Sequence, residues 1–521
     1  MWANLRKHKW LVLSLFVFTL AGLARLIPGL RTIDDAFITF RYARNLLAGE
    51  GFAYNTGESV LGTTTPLYTL IMAALGSLTG GVKAPFPTIA LIFNSLADGL
   101  TAVLLLRIGR QLQSFWAGLG TSLVWTILPF SVTFAIGGLE TSLYVLLLVA
   151  TLAAYLEKRY TLTGIIAAAV LLTRPDALIL ILPLGFDRLF FDPKRRGVAL
   201  HRHELLGFFL PTILWFGFAA FYFGTPLPHS ITAKQGAYLL EPIEALIRLL
   251  QHYATPFMGN LTFGNLWNGV GILFYLFFSV IGILYLIRKQ GATWPFLLFP
   301  WFYFAAFAIA NPLIFRWYLT PPLPFYIFAI LTGLNKILRD VFQTEEYPPP
   351  KRKLLYRLST LVIAFVPLLL VIRAWDWQPD HGLQRPAPNM AWYLLELRYR
   401  EAAEIVSLDA ANIDNVPTLA AGDVGVLGFY TGLPILDTVG LNSPQTLDYY
   451  PINPGFIAGA AYAVAPELIF DEQPEYIVIL EIYGREGLLK DPRFDEQYSL
   501  LHKIETNIYD SDGMLIYKRL P

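Results

Sequence analysis

Hydrophobic positions run unbroken for long stretches over roughly the first 370 residues, then give way to short alternating or helix-period segments. A helix needs about 20 apolar residues to cross a bilayer. Runs of that kind cover 10–27, 86–106, 114–134, 138–156, 204–223, 267–287, 293–310, 314–335 and 355–372. Two further stretches are ambiguous. Residues 66–78 are apolar but short for a crossing. Residues 162–184 are long enough, yet Thr173-Arg174-Pro175-Asp176 lies in their middle. Proline breaks the helical hydrogen-bond ladder there, and an arginine at mid-membrane is costly. Two short helices with Arg174 and Asp176 at their junction relieve both problems.

The placement of lysine and arginine decides both cases. Suppose 66–78 does not cross and 162–184 crosses twice. The connections on the N-terminal side then hold most of the basic residues, among them Arg6, Lys7, Lys9, Arg107, Arg110, Arg188, Lys194, Arg195, Arg196, Lys351, Arg352 and Lys353. The pattern therefore predicts a multi-pass, α-helical protein of the plasma membrane with about eleven spans, its N-terminus cytoplasmic. A cleaved signal peptide is the alternative for the first run, and the many later spans weigh against it. Strand-like runs at Thr418–Ala421, Tyr476–Leu480 and Met514–Tyr517, with a helix-like stretch at Trp392–Val406, predict a small α/β domain in the tail. The expected division is a membrane domain over 1–373, with a long outer loop at 28–85, and an extracytoplasmic α/β domain over 374–521.

Composition sharpens this picture. The chain is 55% hydrophobic and 15% charged, with a mean hydropathy of +0.51; an ordinary soluble domain is about 25% charged. A net charge of +1 provides no field for nucleic acid. Cysteine is absent, which excludes disulfides, thiolate metal sites and thiol nucleophiles.

Candidate chemistry gathers on the expected outer side. Asp34-Asp35 opens a segment whose Ala36, Phe40, Ala43 and Leu47 fall at helical spacing, which predicts an amphipathic helix along the membrane surface. Adjacent carboxylates suit a base or a cation site. The alternative is that both acids only start a helix, where the dipole favours them. A Gly-rich stretch then leads to Thr64, Thr65 and Pro66, a helix start. Glu140 ends the third span, with helix capping as the alternative. Arg174 and Asp176 follow, then His229 and Lys234 after Gly224-Thr225-Pro226-Leu227-Pro228, then Arg316-Trp317-Tyr318. The carboxylates suit proton abstraction or a divalent cation, and the cations suit a phosphate.

Taken in order, Asp-Asp-Ala-Phe-Ile-x-Phe-Arg-Tyr-Ala-Arg-Asn, Thr-Pro-Leu-Tyr, Gly-Leu-Glu-Thr, Thr-Arg-Pro-Asp, Gly-Thr-Pro-Leu-Pro and Arg-Trp-Tyr resemble the GT-C glycosyltransferases. The likeness is greatest to the branch of the mycobacterial terminal β-arabinofuranosyltransferase. Protein O-mannosyltransferases and the lipid A aminoarabinose transferase are more distantly similar. The string covers about residues 1–335, and Ala421-Gly422-Asp423-Val424-Gly425 with Leu436–Leu441 fits the same branch.

The resemblance implies a polyprenyl-phosphate-linked sugar donor and inversion at the anomeric carbon. It also implies a glycan, lipid or protein acceptor outside the membrane, with membrane lipid as surroundings. In that scheme Asp34 takes the acceptor proton, and Asp35 and Glu140 assist. Arg174, Lys234, Arg316 and His229 face the donor phosphate, and Arg41, Tyr42, Thr64, Asp176 and Asp423 support the acceptor side. His229 stands where that branch leads one to expect asparagine. No cofactor is required, although Asp34, Asp35 and Glu140 sharing a divalent cation is an open alternative. For Asp423 and Asp437, turn and strand-end roles compete with sugar contact.

Two other readings remain: a glycan polymerase or ligase using a lipid-diphosphate donor, and a secondary transporter with repeated, broken helices. No repeat is evident by eye. His-Glu-x-x-His and Gly-x-Ser-x-Gly strings are absent, which argues against a membrane protease.

Overall fold

The computed structural model describes residues 2–191, 202–342, 349–377 and 385–521. Lys194, Arg195 and Arg196 of the expected basic connection lie outside them. In chain order the helices are α1 Trp2–Leu26, α2 Asp34–Ala48, α3 Pro66–Thr79, α4 Phe86–Gln111, α5 Phe115–Ile127, α6 Pro129–Ile136, α7 Thr141–Leu156, α8 Tyr160–Thr173, α9 Leu178–Phe186 and α10 Arg202–Tyr222. They continue as α11 His229–Ala237, α12 Glu244–Ala254, α13 Asn260–Phe263, α14 Trp267–Lys289, α15 Trp294–Ala310, α16 Leu323–Phe342 and α17 Pro350–Ile372. The tail adds α18 Leu394–Ala410, α19 Gly425–Thr431, α20 Pro466–Glu472 and α21 Pro492–Gln497. Strands are β1 Trp375–Asp376, β2 Ala387–Pro388, β3 Leu419–Ala421, β4 Ile435–Asp437, β5 Tyr476–Leu480, β6 Tyr498–Ile504 and β7 Met514–Arg519.

Among the described residues, six helices are long and apolar enough to cross a membrane: Lys9–Leu26, Phe86–Gln111, Arg202–Tyr222, Trp267–Lys289, Gly291–Ala310 and Pro350–Ile372. The pair α5–α6, bent by 42°, makes a seventh if taken as one span. Pro129 at the start of α6 accounts for that bend, because it cannot donate into the preceding turn. The other four expected crossings fall on α7, α8, α9 and α16. Of these, α7, α8 and α9 have 16, 14 and 9 residues, below the length that covers a hydrocarbon core of about 30 Å at about 1.5 Å per residue. α16 carries Lys336, Arg339 and Asp340 in its last turns. The expected break in 162–184 is present: α8 ends at Thr173, a short 3-10 turn holds Pro175–Ala177, and α9 follows.

The chain forms two compact units that cut it differently from one boundary at 373/374. The helical unit comprises Met1–Arg31, Ala90–Ile213 and Ile243–Trp392, and the mixed unit comprises Thr32–Ile89, Leu214–Pro242 and Tyr393–Pro521. In the helical unit α14 lies against α16 at their glycines. A Cβ on Gly282 would collide with the Ala329 carbonyl, and one on Gly333 with the Phe278 carbonyl. Small residues at such a crossing let two apolar helices approach by backbone. A buried ion pair also pins this unit. Arg25 Nε lies 2.8 Å from Asp98 Oδ2, midway along α4, and both side chains are fully buried. Ser142 Oγ donates to the same carboxylate at 2.8 Å, and the Arg25 guanidinium donates to the carbonyls of Ala21 and Thr126 and to Ser131 Oγ. Such partners make a charge at membrane depth tolerable.

The mixed unit is built on a five-stranded sheet of order β4-β3-β5-β7-β6. β3 pairs in parallel with β4 and β5, whereas β7 is antiparallel to β5 and β6. β3, β4 and β5 are wholly buried. In an open sheet, binding crevices form outside the carboxyl ends of strands where the connections diverge. Here the chain leaves β3 toward β4 on one side and returns to β5 on the other. Asp423, two residues past β3, stands at that point.

Candidate active site

The first turn of α2 carries Asp34 and Asp35, and Gly49 closes the helix in the left-handed region at φ 83°. The expected helix is present, but almost every face of it is buried rather than one apolar stripe. α3 and α19 pack on it, and Phe37, Phe40, Phe86 and Phe429 make an aromatic cluster around it. An isolated surface helix would leave its polar face in water, whereas the folded tail covers this one.

Arg41 and Tyr42 serve as anchors. Arg41 donates to the carbonyls of Tyr54 at 2.7 Å and Leu433 at 2.8 Å, and to Asn55 Oδ1 at 3.2 Å. The Tyr42 hydroxyl donates to the Val60 carbonyl at 2.7 Å and accepts from the Gly62 N–H at 2.9 Å. Asn55 both donates to and accepts from the Ile435 backbone, and the Tyr54 hydroxyl donates to the Val424 carbonyl at 2.6 Å. The loop after α2 is thereby sewn to the tail sheet, with Thr64 half-buried at its end.

Asp34 is held most tightly of all. Its Oδ2 accepts the Gly425 N–H at 2.8 Å and its Oδ1 accepts the Val426 N–H at 2.7 Å, and the residue is only 7% exposed. Its own N–H donates to Glu396 Oε1 at 3.3 Å. Burial drives its carboxyl well above the usual range; Asp423 and Asp35 add to this, and the two amides oppose it. On the tail side, Tyr399 donates to Asp423 Oδ2 at 2.5 Å. Burial lifts Asp423 to about 6 despite that hydrogen bond, with the Asp35 charge contributing. Glu396 shares a face of α18 with Tyr399 at i,i+3 spacing, and burial lifts it to about 8. Its Oε2 is shut from solvent without a hydrogen-bond partner. Asp35 and Asp423 remain half-exposed. Tyr238, just past α11, and Tyr483, just past β5, feel the Asp423 charge, which adds to burial in raising the proton affinity of both phenols.

The other sequence candidates lie as follows. α11 belongs to the mixed unit: the His229 N–H donates to the Leu61 carbonyl at 2.8 Å, and the Leu239 N–H donates to the Ala461 carbonyl at 3.0 Å. His229 Nε2 is buried without a partner, and burial lowers that imidazole's affinity for a proton. Lys234 is half-buried on the same helix. Asp437 is fully buried and accepts from the N–H groups of Val439, Gly440 and Asn442. It therefore organises its own turn, the alternative weighed for it above.

Glu140, Arg174, Asp176 and Arg316 belong to the helical unit. Arg174 makes a two-pronged pair with Asp176, Nε to Oδ1 at 3.0 Å and Nη2 to Oδ2 at 2.8 Å. It also lies 3.6 Å from Glu140 Oε1 and sits between the rings of Tyr144 and Tyr318. The Tyr303 hydroxyl donates to Asp176 at 3.0 Å. This cluster neutralises the arginine internally, while Arg316 is exposed. An apolar cavity of ≈ 580 Å³ lies among α8, α9 and α10. Its charged residues, Arg188 and Glu204, pair with each other at 2.8 Å, which suits a hydrocarbon chain better than chemistry. Among the described residues no three acids or histidines are grouped to hold one metal ion.

Sequence reasoning missed Glu396, Tyr399, Tyr238 and Tyr483, which no motif marks. It also passed over Asp98, whose signal was available: a lone acid inside an apolar run.

Comparison with known proteins agrees with this architecture. Residues 391–517 match a family model described as a domain of unknown function (DUF8728). Over 119 residues the chain is 32% identical to the terminal β-(1→2)-arabinofuranosyltransferase of Mycobacterium tuberculosis, a stretch that is 21% of this chain and 18% of that protein. The chain thus matches under a fifth of that curated relative's length. Among solved structures, the apo oligosaccharyltransferase of Archaeoglobus fulgidus is similar with a TM-score of 0.57 at 12% identity, over 92% of this chain and 70% of the other. Archaeoglobus fulgidus AglB, in complex with an inhibitory peptide and a dolichol-phosphate, gives 0.58 at 10% identity over 99% and 74%. ArnT from Cupriavidus metallidurans gives 0.52 at 12% identity over 99% and 98%. The chain shares its fold with these three structures, and its described residues combine six helices long and apolar enough to cross a membrane with a sheet formed by the C-terminal part of the chain.

Proposed function

We propose that the protein is an inverting glycosyltransferase that moves a sugar from a polyprenyl-phosphate donor to an acceptor hydroxyl on the outer face of the membrane. The observation that carries this reading is the acid cluster of Asp34, Asp35, Glu396 and Asp423 in a GT-C fold. One of its half-exposed carboxylates is lifted to about 6, close to the working pH that suits a general base. Direct displacement with a carboxylate base inverts the anomeric centre in one step. The leaving phosphate gains charge in the transition state, so fixed cations lower the barrier. Within the mixed unit, Lys234 of α11 is the cation assigned to that phosphate, with His229 as a hydrogen-bonding neighbour. Arg174, already engaged by Asp176 and Glu140, keeps the outer helix junction in shape.

The N-terminus is cytoplasmic and the tail extracytoplasmic in this scheme, as the basic-residue bias requires. In this scheme the transferred sugar is an arabinofuranose or a mannose and the product a cell-envelope glycan, a reading supported by the short match to the mycobacterial arabinofuranosyltransferase.

The test offers a panel of polyprenyl-phosphate sugars and glycan acceptors to the protein in nanodiscs, with and without chelator. Transfer from one member, insensitive to chelator, supports a carboxylate mechanism without metal. Transfer only from a lipid-diphosphate donor replaces this reading with that of a glycan ligase.

A further inference from the structure

We propose that the apolar cavity among α8, α9 and α10 binds one anionic phospholipid, with an acyl chain inside it and the phosphate against the basic starts of α8 and α10. The site depends only on the membrane setting, so it stands or falls separately from glycosyl transfer.

The cavity holds ≈ 580 Å³, a volume in the range of ligand sites. Two glycines bring α8 and α10 together. A Cβ on Gly164 would lie 2.7 Å from the Glu204 carbonyl, and one on Gly207 would lie 3.1 Å from that of Thr161. α9 stands off from them at Gly185, which lines the cavity and where an added Cβ meets nothing within 4 Å. The wall side chains Phe186, Leu189, Phe190, Leu205 and Phe209 are exposed, so the cavity opens toward the hydrocarbon around the helices. Water finds too few polar partners along such a wall. Left empty, the wall would lose its contacts on one side, and a hydrocarbon chain restores them.

The polar lining residues gather at one end. Arg188, just past α9, donates from Nε to Glu204 Oε2 at 3.0 Å and from Nη2 to Oε1 at 2.8 Å, and its guanidinium carbon lies 3.8 Å from the Tyr160 ring centre. Asp187 beside it accepts from the Tyr155 hydroxyl, and from Trp294 Nε1 at 2.5 Å. Both acids are therefore engaged by the protein. Exposed Lys158 and Arg159 directly precede Tyr160, and exposed Arg202 precedes Glu204 by two residues. Glu157, next to Lys158, is held by Arg107 and Arg159. Among the described residues, basic groups thus outnumber acids at this end, as they do where basic pockets between membrane helices take anionic head groups. The Arg174 junction lies at the opposite ends of α8 and α9. In the topology proposed above, the basic end faces the cytoplasm.

The experiment strips the full chain of lipid in detergent and adds back phosphatidylglycerol or phosphatidylcholine with the same acyl chains, or a polyprenyl monophosphate. Native mass spectrometry reads the retained lipid, alongside the unfolding temperature. Two variants are compared: Gly185→Phe, which places a ring in the cavity, and the double variant Lys158→Gln, Arg202→Gln, which removes two rim charges. The wild-type chain is expected to retain one phosphatidylglycerol over phosphatidylcholine by at least about tenfold, and to unfold at higher temperature with it bound. Gly185→Phe should lose that lipid while unfolding no lower than the lipid-free wild type, and the double variant should retain both phospholipids alike. Equal retention of the two phospholipids by wild type overturns the proposal, as does a preference unchanged in the double variant or retention unchanged in Gly185→Phe. Displacement of phosphatidylglycerol by the polyprenyl monophosphate also overturns it, because the cavity would then hold the tail of the donor.

Discussion

At the scale of single residues, burial raises the proton affinity of the acids gathered beside α2. Glu396 is lifted to about 8 chiefly because the folded unit removes water from around it. A carboxyl that holds its proton more tightly when folded stabilises the fold fully below its unfolded value of about 4.5. That contribution is lost as pH rises through its folded value. The unfolding temperature should therefore fall between pH 5 and pH 9, and Glu396→Gln should flatten the fall. Glu396 is partly exposed, so the difference expected at pH 9 is roughly 1–2 kcal/mol in favour of the variant. Parallel pH curves for the two proteins would show that Glu396 is not held protonated. At this scale the sequence made Asp34 and Asp35 conspicuous, because paired acids before an aromatic helix are rare in an apolar chain. Glu396 and Tyr399 were invisible, since Glu-x-x-Tyr in a charged helix looks like any solvated face until α19 packs against it.

At the scale of elements, periodicity located most helices but not what covers them. α2 begins at Asp34 and α3 at Pro66 as read from the chain. The break between α8 and α9 falls at Arg174-Pro175-Asp176, because proline and a charge leave few alternatives. In the tail, β3, β5 and β7 were legible from β-branched and aromatic runs. β4, no shorter than β3, was not marked as a strand, and β6 was hidden by a pattern in which only Tyr498 and Ile504 are buried. Close helix contact in the helical unit rests on glycine, which composition alone cannot place. Gly333→Ala should push α16 off α14 and cost about 1–3 kcal/mol, read as a lower unfolding temperature in detergent. Gly291→Ala, where an added Cβ meets nothing within 4 Å, is the matched control. Equal behaviour of the two variants would mean that the α14–α16 contact is not close-packed.

At the scale of the whole molecule, the boundary expected near residue 374 describes the sequence but not the packing. The compact unit that holds the acids draws on Thr32–Ile89, Leu214–Pro242 and Tyr393–Pro521 together. A tail acting as an add-on would be separable, and its removal would impair acceptor use alone. Here removal of 393–521 strips α18, α19 and the sheet from around α2 and leaves Phe37, Phe40 and Phe86 uncovered. The truncated chain should aggregate or lose donor and acceptor binding alike; a well-dispersed truncate that still binds donor would show instead that the tail is separable. The chemistry itself is tested most directly by identifying the lipid that leaves. Mass spectrometry of the products, with the anomeric configuration of the new linkage read by NMR, follows one turnover on the active donor. The account predicts one polyprenyl monophosphate released per sugar transferred, with the anomeric centre inverted. A released polyprenyl diphosphate, or a retained configuration, would contradict it.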